Sequence, residues 1–74
     1  MKCLISEDNV FEAITDYNRD DKYPDVPELC GYLKIKFKME HEPKEKDIYP
    51  HCIRLQKDGW IVKDFNKKGY RVAK

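Results

Sequence analysis

Three polar helix-start signals, followed by a tail rich in β-forming residues, constrain this chain more than any other feature. Ser6 suits an N-cap, because its hydroxyl can accept from an orphan N–H two or three residues on. Glu7 and Asp8 follow in the first turn, where the helix dipole favours anions. Ile5 and Val10 stand at the two positions of a hydrophobic staple. Val10, Phe11, Ala13, Ile14 and Tyr17 then form an i, i+3, i+4, i+7 stripe, which predicts a first helix over 7–18. Asn18-Arg19-Asp20-Asp21 reads as its fraying end and a turn.

The second start is Pro24-Asp25-Val26-Pro27-Glu28. Asp25 and Glu28 have the spacing of a capping box, and Pro27 falls in the first turn, where no intrahelical bond is lost. Leu29, Cys30 and Leu33 supply the buried face of a second helix over 26–34, and Tyr23-Pro24 before it suits a short extended bridge. Leu33, Ile35, Phe37 and Met39 alternate with Lys34, Lys36 and Lys38 in a period of two. The same residues could instead continue the helix. Residues 40–46 are polar, contain Pro43 and read as a loop.

Asp47 is the third start signal, with Pro50 then the third helical residue, the latest place where it does little harm. Ile48, Cys52 and Leu55 share a face and predict a third helix over 48–57, with Gly59 as a left-handed C′ residue. Trp60-Ile61-Val62-Lys63 and Tyr70-Arg71-Val72-Ala73 read as the two strands of a hairpin over 60–73. Asn66 and Gly69 are available for positive φ in its turn, and Lys67 and Lys68 stand near the tip. Trp60 opens the first strand and is expected in the core or at the base of the hairpin.

The 74 residues allow one small domain, and no apolar run approaches the length of a membrane span. The Met-Lys start has no apolar stretch behind it, so a cytoplasmic protein is expected. The three cysteines, Cys3, Cys30 and Cys52, are too few and too widely spaced for a disulfide framework. Cys30 and Cys52 are expected in the core, and Cys3 as a free thiol. His41, His51 and the cysteines have no metal-ligand spacing, and Cys52 and His51 are helix neighbours pointing about 100° apart. Glu28, Glu40 and Glu42 form no acid–base constellation, and the three glycines make no phosphate loop. No catalytic residue, metal or cofactor is expected.

The formal net charge of +1 hides an asymmetry. Residues 1–33 carry three basic and eight acidic side chains, a net of −5. Residues 34–74 carry twelve basic and six acidic ones, a net of +6. The chain is a dipole in sequence, and its basic end needs explaining.

Three helices followed by a hairpin is the order of a winged helix-turn-helix, an α+β fold that is mainly α. Residues 17–35 resemble the first half of the DNA-binding domain of LexA-type repressors and related winged-helix regulators. The likeness lies in Tyr17 at the end of helix 1 and in Glu28-Leu29-Cys30-Gly31-Tyr32-Leu33-Lys34-Ile35, with Cys30 in a small-residue slot. Ile48, Cys52, Leu55, Gly59 and Ile61 resemble the second half. The chain departs from that family in three ways. The connection between helices 2 and 3 is longer, Glu45-Lys46-Asp47 replaces a Ser or Thr lead, and Pro50 and Ile53 occupy positions that in the family face DNA.

The resemblance implies a small transcriptional regulator or accessory factor that binds double-stranded DNA, with helix 3 in the major groove and the hairpin as wing. Tyr49, Pro50, Ile53, Arg54 and Lys57 would then face the groove, and Arg54 is suited to bidentate guanine readout. Lys63, Lys67, Lys68 and Arg71 of the wing would neutralise phosphates, with Lys34, Lys36, Lys38, Lys44 and Lys46 extending the basic surface. The competing expectation is a protein–protein interaction module using the apolar Tyr49-Pro50-Ile53 surface or the 36–46 loop. A monomer or weak homodimer is the expected state.

Overall fold

The computed structural model describes residues 5–64 and 66–73. Cys3 lies outside them, as does Phe65 of the expected turn. The elements are α1 (Glu7–Arg19), α2 (Val26–Lys36), α3 (Glu45–Lys57), β1 (Ile61–Asp64) and β2 (Gly69–Val72). Three helices and a two-stranded antiparallel hairpin make a small, mainly helical α+β fold.

The first two helix starts are the expected ones. The Ser6 hydroxyl accepts from the Asn9 N–H at 3.2 Å, and Asn9 Oδ1 accepts from the Ser6 N–H at 3.0 Å. Asp25 and Glu28 make the same reciprocal pair at 3.1 and 3.4 Å. Each box satisfies a helix-end N–H that would otherwise have no partner.

The third start is corrected. Lys44, in extended geometry, is the N-cap instead of Asp47, and its side chain makes no cap bond. Pro43 holds Glu42 out of helical geometry, and nothing between Lys44 and Asp47 resists that geometry, so the helix begins directly after the Lys44 cap. Pro50 is therefore the sixth helical residue, not the third. It offers no N–H to the Lys46 carbonyl. Both residues are exposed, so water can reach that carbonyl.

Helix α2 runs two residues past its expected end, to Lys36, so the first part of the alternating segment is helix and Phe37, Lys38 and Met39 lie beyond it. The cause is Lys36, whose Nζ reaches Asp16 Oδ2 at 2.9 Å and Glu12 Oε1 at 3.0 Å on α1. Ile35 is left 77% exposed as a result. The Tyr32 hydroxyl donates to the same Asp16 oxygen at 2.7 Å.

Hydrogen bonds from Lys36 and then Tyr32 hold the Asp16 carboxyl below its ordinary 3.8. Folding thus favours its ionised form. That contribution is complete above pH 3.8 and disappears as the pH falls through the lowered value. Asp16→Asn should therefore be less stable than wild type at neutral pH. It should also lose less stability between about pH 4 and 2, measured by urea unfolding at each pH.

All three helices end alike. Lys22, Met39 and Trp60 donate their N–H groups back five residues, to Tyr17, Lys34 and Leu55 at 2.9 Å. Asp21, Lys38 and Gly59 donate to Asn18, Ile35 and Gln56. These are Schellman motifs, and their C′ residues have φ of 59°, 52° and 79°. Only the third uses glycine. A side chain at positive φ costs about 1 kcal/mol, so Lys38→Gly should raise stability by about 0.5–1 kcal/mol in urea. Gly59→Val should lower it by at least about 1 kcal/mol.

Each helix sends three side chains into one core: Val10, Ala13 and Ile14; Leu29, Cys30 and Leu33; Ile48, Cys52 and Leu55. Ile61 and Tyr70 close it from the hairpin. The strands pair Ile61 with Val72, Val62 with Arg71, Lys63 with Tyr70 and Asp64 with Gly69. The Ala73 N–H donates to the Trp60 carbonyl at 2.8 Å, which carries the pairing out to 60–73. Trp60 packs edge-on against Phe11 at the hairpin base.

The free edge of β2 docks on the chain between α1 and α2. Its Tyr70 N–H donates to the Pro24 carbonyl at 2.8 Å. Asn18 does not fray. Its Nδ2 donates to the carbonyls of Lys22 and Tyr70, and its Oδ1 accepts from the Val72 N–H at 2.8 Å. The positive φ of the hairpin turn falls on Lys68, not on Gly69.

Candidate nucleic-acid interface

At 100° per residue, burying Ile48, Cys52 and Leu55 turns Lys46, Pro50, Ile53 and Lys57 to the opposite side of α3 and Tyr49 to its flank. All five are exposed. Tyr49 and Ile53 keep 52% and 41% of their surface in solvent. Arg54 flanks this face, but its Nη1 lies 3.6 Å from Glu7 Oε1 at the start of α1. The one side chain suited to guanine is thus drawn toward an internal carboxylate.

On the hairpin, Lys63 lays its Nζ over the Tyr70 ring at 5.7 Å, and Lys67 does the same over Tyr23 at 5.5 Å. Such contacts hold the ammonium groups loosely while leaving them hydrated. Lys68 is exposed beside them. Asp64 organises the turn, its carboxylate accepting from the N–H groups of Asn66 and Lys67. Arg71 Nε lies 3.8 Å from that carboxylate.

A shallow open groove of about 470 Å³ joins the two elements. Val26, Pro27 and Tyr70 form its walls with Lys46 and Tyr49 of α3 and Lys63 of β1. Asp25 and Glu45 also border it. Lys46, Tyr49 and Lys63 therefore meet on one concavity. Lys67 reaches Tyr23, two residues ahead of the groove-lining Asp25.

The expected site is thus partly regrouped. Arg54 and Arg71 face carboxylates, and Lys36, expected to widen the basic surface, is bound to α1. Among the described residues, Lys46, Lys57, Lys63, Lys67 and Lys68 have no carboxylate within 4.0 Å. The groove walls Val26, Pro27 and Tyr70 carried no sequence signal beyond helix start and strand. Glu7 carried none beyond helix start.

The core offers no reactive thiol at Cys52. Burial pushes its pKa up to about 11, and burial likewise pushes the adjoining Tyr70 phenol up to about 12. Among the described residues, no group of three His, Cys, Asp or Glu side chains is placed to hold a metal ion. Among them, no helix is long and apolar enough to cross a membrane. Compared with protein-family models, curated proteins and solved structures, the chain gives no significant match.

Proposed function

We propose that this chain is a single winged helix-turn-helix domain that binds double-stranded DNA, in the manner of a small cytoplasmic regulator or accessory factor without catalysis. The reading rests on the five exposed lysines of α3 and the hairpin that have no carboxylate partner among the described residues. A duplex offers one phosphate charge per about 1.7 Å of axis, and lysines on two adjoining elements can follow it. The order of elements, with β2 docked between α1 and α2, supports α3 as the helix presented to the major groove and the hairpin as the wing.

A gel shift with random duplex DNA over a salt series tests this. The expected result is retention at low salt that weakens steeply as salt rises. Absence of any shift at low salt, from protein shown to be folded by circular dichroism, overturns it.

One observation favours a second reading, a protein–protein interaction module. The outer face of α3 is apolar at Tyr49, Pro50 and Ile53, and Phe37 is exposed at the head of the α2–α3 loop. Apolar surface of this kind suits the centre of a protein interface.

A further inference from the structure

The middle of α3 is unusual for an element presented to a DNA groove. Tyr49 and Ile53 stand one turn apart with Pro50 beside them, and all three are exposed. Groups that hydrogen-bond base edges are scarce along this ridge. Arg54 is drawn to Glu7, and His51 and Gln56 are half-buried toward the flanks. Glu45 and Asp47 in the first turn repel phosphate, so the helix middle is the part able to approach a groove. Lys46 and Lys57 lie on the same face at either end of the ridge, both exposed. An apolar strip with a cation at each end complements a groove whose floor is read between two phosphate rims.

One feature of unmodified bases in the major groove is apolar, the C5-methyl group of thymine. We propose that Tyr49, Pro50 and Ile53 recognise thymine methyl groups, so that the domain prefers A·T-rich duplexes through apolar contact instead of donor–acceptor pairing. The proposal rests on the duplex-binding reading above. It makes sequence preference graded, since a missing methyl removes an attraction without leaving a buried polar group unpaired. Each methyl buried against the ridge contributes about a factor of four in affinity.

The test uses the full chain and two A·T-rich duplexes of one sequence, one made with dT and one with dU. Uracil keeps the charge and the pairing and lacks only the methyl. The dU duplex should bind more weakly, by about 15-fold if two methyls are contacted and about 60-fold if three are. Ile53→Ala, an exposed position that should leave the fold intact, should reduce that discrimination and leave the salt dependence unchanged. Discrimination that survives both Ile53→Ala and Tyr49→Ala comes from duplex stiffness and overturns the proposal. Equal binding of dT and dU duplexes overturns it while leaving duplex binding itself standing. If that equality accompanies self-association abolished by Ile53→Asp, the ridge belongs to a second copy of the chain. Failure to retain either duplex overturns this proposal and the reading beneath it together.

Discussion

Replacing Gly69 by alanine should cost about 3 kcal/mol or more, a fall in Tm of at least about 12 °C for a domain of this size. Gly69 opens β2 where the hairpin is pressed against the chain between α1 and α2. A Cβ there would run into the backbone carbonyl of Tyr23 and approach the Pro24 oxygen to 2.9 Å. The obstacle is backbone, which cannot rotate away as the end of a side chain can. The Pro24 carbonyl is held by the Tyr70 N–H, and Asn18 fixes Lys22, Tyr70 and Val72 around it. Relief therefore requires β2 to lift, which breaks those bonds and exposes Tyr70 and Ile61. A domain of this length has about 4–11 kcal/mol of stability in all, so the loss is a large fraction. Gly31 is the control. A Cβ there meets nothing within 4 Å, and α2 would shed the entropic cost of an internal glycine. Gly31→Ala should stabilise by about 0.5–1 kcal/mol. Thermal melts of the two variants should move in opposite directions, and a neutral Gly69→Ala would remove the docked hairpin from this fold.

What could be read from the chain was what depends on neighbours within a turn. The Ser6 and Asp25 caps, the inward faces of all three helices and the Gly59 terminus are local, and the sequence carries them openly. Asp21 and Lys38 end helices as Gly59 does, but without glycine they look like ordinary polar residues. Gly69 departs from the expected positive φ for a related reason. Glycine marks positive φ or close approach, and nothing local says which; the approaching backbone is that of residues 23 and 24. The start of α3 failed because Asp47 is a good cap residue in a position where the chain is already helical. The outward face of α3 followed from its period. The groove did not, because its walls come from α2, α3 and both strands.

The same distance effect changes the meaning of the charge division. Lys36 and Arg54 belong to the basic half but turn back to Asp16, Glu12 and Glu7 of the acidic half. Part of the −5 and part of the +6 thus hold the helices together. Among the described residues, the lysines left to an external anion include those of the outer face of α3 and of the hairpin, together with Lys22, Lys34, Lys38 and Lys44.

Binding through those lysines fixes a measurable slope. If Lys46, Lys57, Lys63, Lys67 and Lys68 each neutralise one phosphate, log K should fall against log salt with a slope of about −4.5. Affinity would then drop about 500-fold between about 50 and 200 mM salt. Replacing Lys63, Lys67 and Lys68 together by alanine should bring the slope to about −1.8 and the same drop to about 12-fold. All three side chains are exposed, so the fold should survive, and a melt checks this. Arg54→Ala provides the contrast. Its partner is Glu7, so its removal should change the slope by much less than one phosphate contact, about 0.9, and release a carboxylate that repels DNA. Fluorescence anisotropy of a labelled random duplex over the salt series gives all three slopes. A triple variant that keeps the wild-type slope would show that the hairpin is not where this domain meets phosphate.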